Sequence, residues 1–365
     1  MIAGLSIAAG LLALDAQNLA VRFRRPLALE AESSDDYTII VPLFGDPAYF
    51  RNRRELTPYK SKVLVALDVR TRRMLRFAEE LERDGWRVRR CRPRTPSPPA
   101  LVLLALREVT TEYVIRLDGD SWFANSPAQA VAAASRARSD LCSVTVLPSR
   151  TTTAAEHLQA VEYACAMRGR RLRPWQVSGA CIVGRAAALR SVLRRHSRWF
   201  AAEDVETGIL ARKMKLRVHH LDLQVRTAVP ETFRALFAQR RSWWAGNFRI
   251  TWINFHLGRH APVTLLYSAV LVWLGLVGKV LSLATAVETV PMIALLYVGI
   301  TVVSNWEVRS RWMIVYPYYS LVQSVVFPTL GFARYLTLAR RHGNLGRLRP
   351  PKRRFLGQVK VQRVQ

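Results

Sequence analysis

The stretch YVIRLDGDSW, residues 113–122, decides the fold. Its first half, Tyr113 to Leu117, is an apolar run of strand length. It ends in two aspartates, Asp118 and Asp120, one residue apart, and then in Trp122. Two carboxylates that close repel each other unless a cation sits between them or water solvates both in a turn.

The flanking sequence repeats the pattern. YTIIVPL (37–43) and KVLVALD (62–68) read as buried strands, and WRVRR (86–90), LCSVTVL (141–147) and SGACIVG (178–184) as further ones. Between Val69 and Gly85 the apolar Met74, Leu75, Ala78 and Leu81 recur at helical spacing, with Gly85 as a stop. Ser126 and Pro127 open another helix, the serine capping it and the proline taking the first position. Strands alternating with helices imply an α/β sheet, mainly parallel, flanked by helices. In such sheets ligands bind beyond the carboxyl ends of the strands. Asp68 ends one strand, and Asp118 and Asp120 end another, so the aspartates stand where a ligand is expected. The Pro-rich CRPRTPSPPA (91–100) reads as a loop.

The 365 residues allow a sizeable core and carry a formal net charge of +29. That charge suits a polyanion or an anionic surface. Nucleic acid is not the expected partner, because the basic residues are not interleaved with aromatics on any one element. Residues 263–304 carry only Lys279 and Glu288 as charges, which suits a pair of membrane-spanning helices divided near Thr285 to Pro291. A second apolar stretch, Trp312 to Leu336, is interrupted by Pro317 and Pro328 and reads as a span, a kink or a re-entrant segment. From Arg334 to the end there are ten Lys or Arg and no acid, and Arg22, Arg24 and Arg25 follow an apolar start. Such clusters hold to the anionic cytoplasmic leaflet. The four cysteines (91, 142, 165, 181) are scattered without a CxxC and read as reduced cytosolic thiols.

Asp118 and Asp120, with Asp68 at a neighbouring strand end, suit a hard divalent cation, Mg²⁺ or Mn²⁺, shared with substrate phosphates. A solvated Asp-Gly-Asp turn is the plainer alternative. EDVETG (203–208) offers Asp204 as a general base, or simply acids at a helix N-terminus. In QRRSWWAGNFR (239–249), Gln239, Arg240 and Arg241 suit a pyrophosphate, while Trp243 and Trp244 give flat faces for a sugar ring. An interfacial helix with an aromatic belt explains the same residues.

Taken in order, these motifs resemble the family 2 inverting glycosyltransferases, in particular the membrane-embedded branch of hyaluronan, chitin and cellulose synthases. The resemblance runs from about Tyr37 to Arg249. IIVPLFGD is similar to the family's opening strand, and Asp68 matches its nucleotide-contacting aspartate. Asp118 and Asp120 match the metal-binding DxD, with Asp118 also on the donor side. VSGACIVGRAAAL, around Ser178 and Gly179, resembles the acceptor-side segment. Glu203-Asp204 matches the catalytic-base motif, and AVPETFRALFAQRR (228–241) resembles the approach to the QxxRW motif. Ser242 stands where that motif has arginine, which moves the expected diphosphate contact to Arg240 or Arg241.

The resemblance implies a GT-A-like fold followed by transmembrane helices, and a metal-dependent transferase that takes a UDP-sugar. The implied acceptor is a carbohydrate or a lipid-linked one, elongated with inversion and coupled to export. Membrane lipids and accessory export or regulatory subunits are the further implied partners, at the plasma membrane with the catalytic domain facing the cytoplasm. The expected organisation is an apolar segment (1–25), a catalytic domain (36–235), an interfacial helix region (236–262), transmembrane helices (263–336) and a basic tail (337–365). Single transfer to a lipid, or a non-catalytic scaffold, are the alternatives.

Overall fold

The computed structural model describes residues 20–21, 23–93, 97–197, 201–253 and 290–342. Each apolar run quoted above is a strand in it: β1 (Tyr37–Leu43), β2 (Val63–Asp68), β3 (Arg87–Cys91), β4 (Tyr113–Leu117), β6 (Leu141–Pro148) and β7 (Cys181–Arg185). Two more were not expected, the short β5 (Ser121–Phe123) and the long β8 (Val218–Thr227). β8 escaped the reading because VHHLDLQVRT alternates burial with histidine, aspartate and arginine, a half-covered strand without an apolar run.

The sheet order is β3-β2-β1-β4-β7-β6-β8-β5. β3, β2, β1 and β4 pair in parallel, as do β6 and β8, while β7 runs antiparallel between β4 and β6 and β5 lies antiparallel on β8. The sheet is therefore mixed and mainly parallel. Every residue of β1, β2 and β4 is buried, the continuous apolar pattern of strands covered on both faces. Each buried Val, Leu or Ile there contributes roughly 1.5–3 kcal/mol of transfer free energy.

Around the sheet lie α1 (Arg72–Arg83), α2 (Pro98–Ala105), α3 (Pro127–Arg136), α5 (Ala186–Arg195) and α6 (Glu203–Lys213). In α1 the side chain of Thr71 accepts from the Met74 N–H at 3.2 Å, and Met74, Phe77, Ala78 and Leu81 face the core. Gly85 ends this segment at φ +75°, a conformation open to glycine. Ser126 caps α3 as expected, accepting from Gln129 N–H at 3.4 Å. The Pro-rich segment needs correction: β3 runs to Cys91, and Ser97 caps a helix whose first turn holds Pro98 and Pro99. Proline at the start of a helix loses no hydrogen bond, so PPALVLLA is a helix rather than a loop.

The chain divides into two compact units. Pro26–Ser149 and Pro174–Ala228 carry the whole sheet. The other unit contains Arg150–Arg173 and the described part of Val229–Gly346. It holds α4 (Ala154–Leu172), α7 (Phe233–Ile253), α8 (Val290–Ser304) and α9 (Tyr316–His342). Thus α4, although inside the expected catalytic span 36–235, groups with the C-terminal helices.

The expected transmembrane part is not supported. Among the described residues no helix is long and apolar enough to cross a membrane. Trp312 to Leu336 becomes a 3-10 turn, Arg311–Ile314, followed by α9, which runs on through Pro328. This helix packs on α7: Tyr335 joins Ala245 and Phe248 in a buried cluster, with Trp244, Phe332 and Leu336 against it. Gly331 permits the approach, since a Cβ there would lie 2.3 Å from the Trp244 Cβ. Residues 1–19, 254–289 and 343–365 lie outside the described residues, and with them most of the first apolar segment, the stretch read as spanning up to residue 289, and the tail.

Candidate active site

The DGD loop is held from below by a segment the sequence reading passed over. Asn52 is fully buried, its N–H donates to the Gly119 carbonyl at 3.0 Å, and its side-chain amide donates to the Asp118 carbonyl at 3.0 Å and to that of Ser121. Gly119 is required by proximity, because a Cβ there would lie 2.6 Å from the Tyr49 carbonyl oxygen and from Leu43 Cδ2. On the far side, the Ala228 N–H donates to the Asp120 carbonyl at 3.0 Å and the Asp118 N–H to the Ala180 carbonyl, also at 3.0 Å. The loop is thus fixed through its backbone, by bonds that draw on neither carboxylate.

Asp118, in the loop just beyond β4, meets Arg116 two residues back in the strand. The Arg116 guanidinium is buried at 3% exposure, and its Nη2 donates to Asp118 Oδ1 at 3.2 Å and to Glu203 Oε1 at 2.9 Å. Glu203 opens α6, whose preceding residue, Ala202, sits in the left-handed region at φ +55°. His196 Nε2 and the Glu203 carbonyl lie 2.8 Å apart. The next residue, Asp204, accepts from the Gly179 N–H at 3.0 Å through Oδ2 and from the Val205 N–H at 2.9 Å through Oδ1. α6 comes close because Gly208 allows it: a Cβ there would lie 2.0 Å from the Trp175 carbonyl oxygen.

Burial raises three of these acids. It pushes the Asp118 carboxyl up to about 6, with Arg116 opposing and Asp120 adding. Glu203 is pushed up by burial and by Asp204 and Asp118, against the pull of Arg116. Asp120 is raised by burial, with the positive charge of Arg51 opposing. Burial works against the Arg116 charge, but Asp118 and Glu203 more than offset it and its pKa is raised. These residues therefore form a carboxylate cluster around one buried guanidinium, short of positive charge.

That shortage bears on a divalent cation. Asp120 accepts one side-chain hydrogen bond among the described residues, from Ser121 Oγ at 3.4 Å. No three His, Cys, Asp or Glu side chains converge on a ready cage among the described residues. One or two carboxylates with the remaining positions left to phosphate oxygens and water is the donor set that Mg²⁺ or Mn²⁺ takes. The residues fit such an ion.

The other expected site residues are distributed as follows. Asp68 is buried at the end of β2, and Arg70 folds back onto it, Nε donating to Oδ1 at 2.8 Å and to Oδ2 at 3.0 Å. Ser178 is buried beside Gly179, its Oγ accepting from the Ala180 N–H at 3.3 Å. Gln239, Arg240, Arg241, Trp243 and Trp244 lie on α7, in the helical unit. Within that unit Arg240 is buried and committed: Nη2 donates to Glu162 Oε2 at 2.9 Å and Nη1 to Gln239 Oε1 at 3.1 Å. Tyr319 and Gln323 of α9 also donate to Glu162. Arg240 is thus already held by a carboxylate of its own unit, while Arg241 is exposed. The two tryptophans separate: Trp243 is 39% exposed, with the Arg240 guanidinium 4.2 Å from its ring, whereas Trp244 packs into the cluster with Phe248. Arg116, Asn52 and Arg51 were missed. The sole clue to Arg116 is a charge inside an otherwise apolar strand.

A mixed, mainly parallel sheet with two tethered aspartates beyond β4 and an acid pair opening a helix beside them defines a GT-A-like transferase. Residues 113–322, more than half of the chain, match the family described as glycosyl transferase family group 2, and the chain belongs to that family. It is a glycosyltransferase that uses a nucleotide sugar. No curated protein matches it in sequence. Among solved structures it is similar in fold to mannosyltransferase PcManGT from Pyrobaculum calidifontis, solved in complex with GDP-Man and Mn²⁺, at 15% identity and a TM-score of 0.62. That match covers 92% of this chain and 98% of the other. S. aureus TarS (residues 1–349) overlaps at 14% identity and a TM-score of 0.40, covering 82% of this chain and 91% of that one, too low to speak for more.

Proposed function

We propose that the chain transfers a hexosyl or N-acetylhexosaminyl unit, with inversion, from a nucleotide sugar to a carbohydrate or lipid-linked hydroxyl. The observation that carries this is the convergence of Asp118, Glu203 and Asp204 around Arg116 and Gly179, beside the tethered Asp120. Asp204 is the base. Two N–H donors fix its carboxylate while the neighbouring Glu203 is taken up by Arg116, so Asp204 is the acid of the pair left to accept a proton. Proton removal there lets the acceptor oxygen attack the anomeric carbon from the face opposite the leaving group. Asp120, with Asp118, would hold Mg²⁺ or Mn²⁺, which when bound would supply positive charge to the donor's diphosphate. Arg51, exposed and within electrostatic reach of Asp120, adds positive charge on the donor side. Asp68 orients the nucleoside once Arg70 yields it. Trp243 offers the acceptor a flat ring that the Arg240 guanidinium steadies from the helix side.

The place of action in this reading is the cytoplasmic face of the plasma membrane, with a polysaccharide as product, exported with the help of accessory subunits. What supports the membrane is a run of exposed apolar side chains from the end of the first apolar stretch into the start of the second: Leu295, Leu296 and Val303 on α8, then Trp306, Ile314 and Val315, interleaved with exposed Arg309 and Arg311. UDP-sugars are the first donors to try, and the fold relative solved with GDP-Man makes GDP-mannose the second. The test is release of nucleoside diphosphate from UDP-glucose, UDP-N-acetylglucosamine and GDP-mannose, with and without Mn²⁺. Asp204→Asn should lower turnover by roughly 10²–10⁴ while donor binding survives. Native turnover in that variant overturns the assignment of the base.

A further inference from the structure

Arg116 interrupts a strand whose other residues are apolar and whose every residue is buried. Burying a guanidinium costs several kcal/mol of desolvation unless its partners answer it, and an apolar residue of similar size generally serves stability as well or better. Its partners come from two different motifs: Asp118 from the loop beyond β4, and Glu203 from the first residue of α6. The same nitrogen, Nη2, serves both. Its Nε is buried with no hydrogen-bond partner among the described residues, a donor left unsatisfied with no return in stability. Gly179 lies over the junction: a Cβ there would sit 3.5 Å from Glu203 Oε1, 3.8 Å from Arg116 Nη2 and 3.8 Å from Asp204 Oδ2.

The geometry points to Arg116 as a positioning residue that sets the spacing between the donor-side carboxylate Asp118 and the helix that presents Asp204. It touches neither reacting atom. It acts through Glu203, which anchors the first turn of α6, and through Asp118, whose orientation it fixes from the strand side. The inference rests on the reading of Asp204 as base, and its test must fail separately from that reading. Its rival is that Arg116 only balances the buried charge of Glu203.

The full-length chain is assayed with whichever of UDP-glucose, UDP-N-acetylglucosamine or GDP-mannose it turns over fastest, in Mn²⁺. Arg116→Gln should lower kcat by about 10²-fold, as a misplaced base does, and raise the donor KM far less than it lowers kcat, because Asp120 stays tethered. Arg116→Lys keeps one charged donor and should regain roughly tenfold of that loss, short of native because an ammonium lacks the planar fork. Should Arg116→Gln fail to fold, the pair Arg116→Gln with Glu203→Gln removes both buried charges together and keeps amide hydrogen bonds between them. A positioning role predicts that this pair regains the native melting temperature while kcat stays about 10²-fold down. Native kcat in the double variant, or in folded Arg116→Gln, overturns the proposal in favour of charge balance. Asp204→Asn in the same assay judges the base independently of any change at Arg116.

Discussion

Asp118 and Asp120 are separated by one residue and differ in environment. Asp118 is 33% exposed and leans on Arg116, while Asp120 has Ser121 and the field of Arg51. The charge deficit around them leads to a metal prediction. EDTA should abolish nucleoside diphosphate release, and Mg²⁺ or Mn²⁺ should restore it. Because a cation would join carboxylate to phosphate, UDP and Mn²⁺ should each tighten the other's binding by the same factor. Asp120→Asn removes one formal charge and should reduce that coupling by about tenfold, a loss of roughly 1.4 kcal/mol of coupling free energy. Calorimetry of UDP with and without Mn²⁺, on native chain and variant, measures it. Four equal affinities would mean the aspartates form only a turn.

At the level of elements, α7 presents two neighbouring tryptophans in opposite senses. Trp243 stands out from the helix with Arg240 against its ring, and Trp244 closes the seam with α9 over Gly331. Their substitutions should therefore part company. Trp243→Ala should raise the acceptor KM by about tenfold or shorten the product, with little change in melting temperature, because an exposed ring contributes little to the core. Trp244→Ala empties a packed seam and should cost about 3–5 kcal/mol of stability. A chemical denaturation series beside an acceptor titration separates the two. Equal thermal losses with unchanged acceptor kinetics would remove Trp243 from the acceptor site.

For the whole molecule, the formal charge of +29 and the exposed apolar run from Leu295 to Val315 act together. Anionic lipid attracts each basic side chain near its surface by about 1 kcal/mol, and the attraction weakens with salt. The purified chain should float with vesicles containing phosphatidylserine and should float less as NaCl rises. Replacing Trp306 and Ile314 with serine should weaken flotation at every salt concentration, since that term is apolar. Flotation unchanged by both salt and substitution would place the attachment elsewhere in the chain.

Much of this architecture is local and so was readable from the chain alone. A buried parallel strand must be continuously apolar, which is why YTIIVPL, VLVALD and YVIRL were legible, and a helix needs a cap, which is why Ser126-Pro127 was. The acids of the candidate site stood out in the chain because a strand end in an α/β sheet is where ligands bind. Other features come only from folding, since they depend on residues far apart in sequence. β8 is a strand because β6 and β5 pair with it, not because of its own pattern. The apolar stretch before Leu336 packs on α7, since hydropathy measures how apolar a segment is and not which neighbour covers it. Asn52 tethers a loop 66 residues away, and Arg116 reaches Glu203 across 87. A buried charge reads in sequence as an interruption, and only the carboxylates brought around it by the sheet and α6 make it a junction.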